Sequence, residues 1–236
     1  MVAVVKRLRQ WIVIPSCGGS NPLSHPIFEN TIRIRGNILI MTLILPTKSV
    51  YLETKRLILR PFDDPDYEDL HVWASRIDVT RFVNWDRHIC IEDSIEFIKL
   101  VKELSEQNSL IFMAVVLKST KQVIGSVGIF QRNDLSRYTL ELGYCLGDDW
   151  WGHGYILEAS LGLVDYGFLS MPSLERVEAN CMLENTPSRR IMEKMGMQRE
   201  GILRNYLEKN GFLYNAYIYS ILRKEWMTKY HSSTVD

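Results

Sequence analysis

Leu142-Gly-Tyr-Cys-Leu-Gly-Asp-Asp-Trp-Trp-Gly-His-Gly-Tyr155 joins two segments of different period. Its first five residues close the β-rich run Tyr138–Leu146, which reads as a strand. Its last residue opens the stripe Leu157, Leu161, Val164 and Phe168, whose steps of four and three belong to a helix. Between them, Gly152 and Gly154 allow the backbone to turn tightly and to approach a ligand closely. The helix that follows presents unpaired N–H groups and a partial positive charge. A strand, a glycine-containing loop and a helix start together make an anion site suited to a diphosphate. The same residues also suffice for a plain strand-to-helix turn. A G-x-G-x-x-G dinucleotide fingerprint is excluded by Leu157, and the Gly-Lys-Ser/Thr of a Walker loop is absent.

Upstream, Leu57-Ile58-Leu59 reads as a first strand before Arg60-Pro61, and Pro65 opens a helix reaching about Arg76. Ile91–Gln107 reads as a longer helix, with Ile95, Ile98 and Val101 at helical spacing. Leu110–Leu117, Val123–Phe130 and Tyr138–Leu146 are strands. The turns between them, at residues 118–122 and around Asn133-Asp134-Leu135-Ser136, are short enough for an antiparallel meander. Downstream, Arg176–Met182 is a strand, and the strand-helix-strand order makes it parallel to Tyr138–Leu146. Thr186–Met195 is a short helix stopped by Gly196. Met197–Leu207 and Phe212–Arg223 form a final hairpin around Lys209-Asn210-Gly211. The expected fold class is α+β: a mixed, mostly antiparallel, twisted sheet of about seven strands flanked by helices.

The 236 residues carry 28 basic and 28 acidic side chains, so the totals offer no electrostatic case for nucleic acid. The balance is uneven. Residues 1–50 hold six Lys/Arg against one acid, Glu29, and are broken by Pro15, Pro22, Pro26 and Pro46. We expect this extension to be disordered, or to precede a natural start near Met41; an organellar leader is a further reading of its Arg-containing, acid-poor composition. The apolar run Trp11–Ile14 is too short for a secretory signal. The main domain is expected over 51–228, with a short tail at 229–236. Cys17, Cys90, Cys145 and Cys181 show no metal-ligand spacing, and no apolar run is long enough to span a membrane. The expectation is a reducing, cytoplasmic compartment, with no metal, nucleic acid or membrane partner.

Several motifs in one order narrow this reading. Glu141-Leu-Gly-Tyr144, Trp151-Gly-His-Gly-Tyr155 and Glu158-Ala159 resemble the pyrophosphate-binding motif of the Gcn5-related N-acetyltransferase superfamily. Asn185-Thr-Pro-Ser188, Glu193-Lys-Met-Gly-Met197 and Glu200-Gly201 are similar to the second half of that signature. The opening Leu52-Glu-Thr-Lys-Arg-Leu-Ile-Leu-Arg-Pro61 is similar to the branch that acetylates the N-termini of ribosomal proteins. The resemblance covers about residues 52–226. Against the family form Gln/Arg-x-x-Gly-x-Gly/Ala, this chain has Trp151, Gly154 and Ile156 at the three defined places. The resemblance implies acetyl-coenzyme A as cosubstrate, bound by Tyr144, Leu146, Trp151, Gly152, His153, Gly154, Tyr155, Ile156 and Asn185, with no metal. It leaves monomer or homodimer open.

Acetyl transfer from a thioester needs no enzyme nucleophile, because the acyl group is already activated. By resemblance, Ser188 would stand near the sulfur and Asn185 near the pantetheine arm. As residues alone, Ser188 is also a polar group of a helix first turn, and Asn185 an N-cap. Glu141 is a candidate base, with a structural ion pair as the equal alternative. Some members carry a glutamate 19 residues after the serine. Here that place is Leu207, with Glu208 one residue late, and a one-residue slip reverses the face of a strand. His153 sits where phosphate is expected and is not assigned to catalysis. Trp73, Trp85 and Tyr206, with the segments 78–89 and 208–214, are candidates for shaping the acceptor pocket. The acceptor is expected to be a protein N-terminal amine. The alternatives are a small amine (polyamine, aminoglycoside or amino acid) and a non-catalytic acetyl-coenzyme A sensor.

Overall fold

In the computed structural model, residues 50–106, 110–131 and 138–232 are described. The expectations for residues 1–49, Gln107, the 133–136 turn and the end of the tail at 233–236 lie outside them. Eight strands among the described residues make one sheet: β1 (Leu52–Glu53), β2 (Leu57–Arg60), β3 (Leu110–Leu117), β4 (Val123–Phe130), β5 (Thr139–Leu146), β6 (Arg176–Met182), β7 (Gln198–Lys209) and β8 (Phe212–Leu222). Their order is β1-β2-β3-β4-β5-β6-β8-β7. The count exceeds the expected seven because Leu52 and Glu53 pair with Leu59 and Ile58 as a two-residue edge, too short to show a period. The expected β3-β4-β5 meander is antiparallel. β5 and β6 are parallel, as the crossover predicts.

Every residue of β4 is buried, because helices cover both faces of the sheet. On one face lie α1 (Tyr67–Ala74) and α3 (Ile91–Glu106), separated by the short α2 (Ile77–Thr80). The helix expected from Pro65 instead begins with a separate 3-10 turn at Asp64–Asp66 and ends at Ala74. The buried residues of α3 are Ser94, Phe97, Ile98, Leu100, Val101 and Leu104, whereas Ile95 is exposed. The expected stripe on α3 was therefore right in period and rotated at its first member.

On the other face lie α4 (Tyr155–Ser170), α5 (Thr186–Met195) and α6 (Arg223–Tyr230). Ile156, Ala159, Leu163, Val164 and Phe168 form the buried stripe of α4; Leu157 and Leu161 are its half-buried margins. Arg223 closes the far end of α4. Its guanidinium donates to the carbonyls of Phe168 at 2.6 Å, Met171 at 2.5 Å and Leu174 at 2.7 Å, complementing the negative helix terminus. The α6 helix, absent from the sequence reading, buries Trp226, whose Nε1 donates to Asp165 at 2.8 Å.

The loop before α3 buries His88 against Trp85 and Phe97. Its Nδ1 is 2.8 Å from the Ser94 hydroxyl, and its Nε2 has no partner. Burial holds its pKa down at about 4; Asp93 opposes this and His71 adds to it. The neutral ring is thus favoured in the folded state.

Two outcomes follow for stability. Leu163→Ala empties a fully buried site between α4 and the sheet and should cost about 2–5 kcal/mol in urea unfolding. His88 has a folded pKa below its unfolded value of 6.5, so its contribution is complete above about pH 6.5. It is lost as pH falls toward about 4, at up to about 1.4 kcal/mol per pH unit. Unfolding curves across this range should be flatter for His88→Asn than for the parent chain.

Candidate active site

The parallel pairing of β5 and β6 covers only Thr139, Leu140 and Glu141 opposite Arg176, Val177 and Glu178. Beyond Glu141 the two strands part, while β5 stays paired to β4 through Leu146. Residues 142–146 of β5 thus turn an open backbone edge toward a cleft. Glu141 sits at the base of this cleft, 5% exposed, and accepts a hydrogen bond from Asn180 Nδ2 on β6 at 2.9 Å.

The N-terminus of α5 enters the cleft from the β6 side. Asn185 is its N-cap, with Oδ1 accepting from the Ser188 N–H at 3.1 Å. Pro187 in the first turn preorganises the helix, and Gly196 ends it as expected. The Ser188 hydroxyl lies 2.9 Å from the Tyr144 hydroxyl, which also donates to the Ser188 carbonyl at 3.2 Å. A residue of β5 and a residue of α5, 44 positions apart, thereby form one hydroxyl pair across the cleft.

The glycine loop closes the β5 side. Gly152 and Gly154 have φ of 80° and 78°, a left-handed conformation that residues with a Cβ adopt at a cost. Gly154 is the N-cap of α4 and supplies no side-chain cap, so the first-turn N–H groups remain available to a ligand. Trp151 Nε1 donates to the Leu146 carbonyl at 2.8 Å, pinning the loop to the end of β5. Behind the loop, Glu158 accepts from Thr54 Oγ1 at 2.6 Å, from the Arg56 N–H at 2.7 Å and from Arg56 Nε at 2.7 Å. Arg56 also donates to the His153 carbonyl at 2.9 Å and lies over the Tyr155 ring. Burial alone would raise the Glu158 pKa; the Thr54 and Arg56 hydrogen bonds and the guanidinium charge hold it below the usual range.

Two cavities meet in the cleft. A channel of about 540 Å³ runs along Leu146, Trp151, Gly152, Gly154, Tyr155 and Ile156. A smaller cavity of about 120 Å³ lies on the Glu141 side, with Phe82, Trp85 and Asn180 in its wall. Tyr144, Cys145, Asn185 and Ser188 line both, so the hydroxyl pair stands at the junction. Ten of the eleven residues named from the sequence are therefore at one or both cavities. His153 is not: its ring stacks on Tyr155, and Nδ1 is 2.9 Å from the Trp151 carbonyl.

Of the aromatic candidates for the acceptor side, Trp85 lines the smaller cavity. Trp73 is core, donating to the Val123 carbonyl at 3.1 Å, and Tyr206 lines neither cavity. Glu208 was set aside on strand parity, yet both Leu207 and Glu208 line the smaller cavity. The register of β7 shifts between Leu203 and Leu207, where Asn205 has φ 50°, and is regular from Leu207 to Lys209. Lys209 Nζ donates to the Trp85 carbonyl at 2.9 Å, joining the hairpin to the 78–89 segment.

Burial raises the thiol pKa of Cys145 to about 12, and that of Cys181 to about 11 despite a hydrogen bond with Ser188. Burial likewise pushes the Tyr144 phenol up. Near neutral pH these groups are protonated: the thiols are poor nucleophiles, and the phenol can donate a hydrogen bond. Among the described residues, no group of three or more His, Cys, Asp or Glu could hold a metal ion, and no helix is long and apolar enough to cross a membrane.

Comparison with known proteins agrees with this geometry. The uncharacterized N-acetyltransferase p20 of Bacillus licheniformis is 34% identical over 175 residues, which are 74% of this chain and 97% of that protein. The [ribosomal protein uS5]-alanine N-acetyltransferase of Escherichia coli is 24% identical over 127 residues, 54% of this chain and 65% of that protein. Among solved structures, a GNAT-family acetyltransferase from Bacillus anthracis superposes with a TM-score of 0.65 at 28% identity, covering 75% of this chain and all of that one. The family model for the acetyltransferase (GNAT) domain matches residues 56–198, which span the β2 strand, the glycine loop and the Asn185–Ser188 helix start, and the chain belongs to this family of N-acetyltransferases.

Proposed function

We propose that the protein transfers the acetyl group of acetyl-coenzyme A to the α-amine of a protein N-terminus, of the ribosomal-protein type, by direct attack of the amine on the thioester. Enzymes of this family use acetyl-coenzyme A as the acetyl donor. The observation that carries the reading is the meeting of a long channel and a small cavity at Tyr144, Asn185 and Ser188. The coenzyme lies in the channel, with its diphosphate on the first-turn N–H groups of α4. Its pantetheine amides pair with the open edge of β5, which needs a hydrogen-bonding partner there. The acceptor amine reaches the thioester from the smaller cavity.

Such an arrangement works mainly by positioning, which supplies about 7–11 kcal/mol in favourable cases. A β5 backbone N–H stabilises the thioester oxygen as it gains charge. Glu141, or Glu208 across the cavity, accepts the proton released by the amine. The demand on this base is modest, because an α-amine has a pKa of about 7.7–8.0 and is partly neutral at physiological pH. The Ser188 hydroxyl, backed by the Tyr144 phenol, donates to the departing thiolate. The E. coli relative supports the choice of a protein N-terminus. The small size of the second cavity favours a compact group next to the amine, and it keeps a small-molecule amine as the competing acceptor.

Calorimetric titration with acetyl-coenzyme A, with NAD as control, is expected to show binding of the first alone. Turnover of peptides beginning Ala or Ser should exceed that of spermidine and kanamycin; the reverse order would assign a small-molecule acceptor. Ser188→Ala should leave coenzyme affinity nearly unchanged and lower kcat by about tenfold to a hundredfold. An unaltered kcat would reduce Ser188 to a helix residue. In Gly154→Asp the new Cβ meets only Arg56 Nη2, at 3.7 Å, so the substitution creates no steric clash. The φ of 78° at this position strains any residue with a Cβ, so circular dichroism must first show the variant folded; its charge should then oppose the diphosphate and weaken coenzyme binding by about tenfold or more.

A further inference from the structure

The channel carries more positive charge than a diphosphate at a helix N-terminus requires. Arg81, Arg190 and Lys194 line it, against a single acid, Asp78. Several arginines elsewhere pair with carboxylates: Arg56 with Glu158, Arg60 with Asp66, Arg76 with Asp148 and Asp149, and Arg176 with Glu200. Among the described residues, no carboxylate pairs with Arg81, Arg190 or Lys194, and the Arg81 guanidinium lies over the ring of Phe82. Three cations without counter-charges are thus gathered along one cavity.

Their position along the channel is set by the helix. Pro187, Arg190, Ile191 and Lys194 follow at steps of three, one and three, so one face of α5 forms the wall. With a rise of about 1.5 Å per residue, Lys194 stands about 9 Å beyond Ser188 along the helix axis. Ser188 marks the sulfur end of the ligand. The two α5 cations therefore flank the end of the channel remote from the thioester, and Arg81 approaches from the segment after α2. In coenzyme A the group remote from sulfur is the adenosine ribose, which bears a phosphate monoester on its 3′ oxygen. Such a group carries a charge of about −1.5 to −2 near pH 7, enough to engage two cations at once.

We propose that Arg190 and Lys194, assisted by Arg81, bind the 3′-phosphate of the coenzyme and make the enzyme selective for coenzyme A over 3′-dephospho-coenzyme A. The assignment rests on the acetyl-coenzyme A reading above and adds a specificity element to it. The diphosphate is held by main-chain N–H groups that no side-chain replacement removes, so the two phosphate sites are separable by mutation.

The test is calorimetry with coenzyme A and with 3′-dephospho-coenzyme A at one fixed ionic strength, using the full chain. The parent protein should prefer coenzyme A by about tenfold or more. The double variant Arg190→Ala/Lys194→Ala should bring the two affinities within about twofold, by weakening coenzyme A binding alone. Arg190→Lys, which keeps the charge, should retain most of the preference. Circular dichroism of the variants confirms that these exposed helix positions have not cost the fold. Equal affinity of the parent protein for both ligands overturns the assignment. So does a double variant that weakens both ligands equally, which would place the cations on the diphosphate. If the folded parent protein binds neither ligand, the acetyl-coenzyme A reading itself fails, and the 3′-phosphate site with it.

Discussion

The parting of β5 from β6 beyond Glu141 is the constraint on which the rest of the molecule turns. Parallel strands normally continue to pair, because an unpaired main-chain edge inside a protein is costly. Here the pairing stops after three residues, and the open edge of β5 lies along a cleft. The hydroxyl pair of Tyr144 and Ser188, the Asn180 bond to Glu141 and both cavities occupy the gap so created. A strand edge with unpaired main-chain groups lies there next to a helix start with free N–H groups, the two features to which the proposed function assigns the pantetheine amides and the diphosphate.

Holding such a gap open requires rigidity around it. The layers on both faces of the sheet provide it, with β4 buried throughout as the common wall. The glycine loop is held from behind by the Thr54, Arg56 and Glu158 network, which ties the first strands of the domain to the first turn of α4. Beside the smaller cavity, Lys209 ties the final hairpin to the segment carrying Trp85. Neither anchor touches the hydroxyl pair, yet each fixes one of the walls between which the two cavities meet.

Much of this was legible in the sequence. The change from strand to helical period at Gly152 and Gly154 located the loop, and the signature residues around it converge on the channel, with the exception of the His153 ring. Local chemistry explains the success: backbone turns, N-caps such as Asn185 and stops such as Gly196 depend on neighbours within a few residues. The failures are equally local in cause. Glu208 was set aside because neighbouring residues of a strand face opposite ways, yet the cavity wall takes in both Leu207 and Glu208. Ile95, Ile98 and Val101 fit a helical period, but Ile95 is exposed, because the partner surface selects the face that includes Ser94 and Phe97.

Sequence by itself determined the class of the fold, the parallel crossover, the glycine loop and the family, since each is written in short-range pattern or in motifs at fixed spacing. Tertiary structure alone decided which groups meet. Tyr144 with Ser188, Glu141 with Asn180, Arg56 with Glu158, and the gathering of Arg81 with Arg190 and Lys194 join residues from 39 to more than a hundred positions apart. No period or spacing encodes such encounters. They arise from the order of strands in the sheet and from where two of those strands cease to pair.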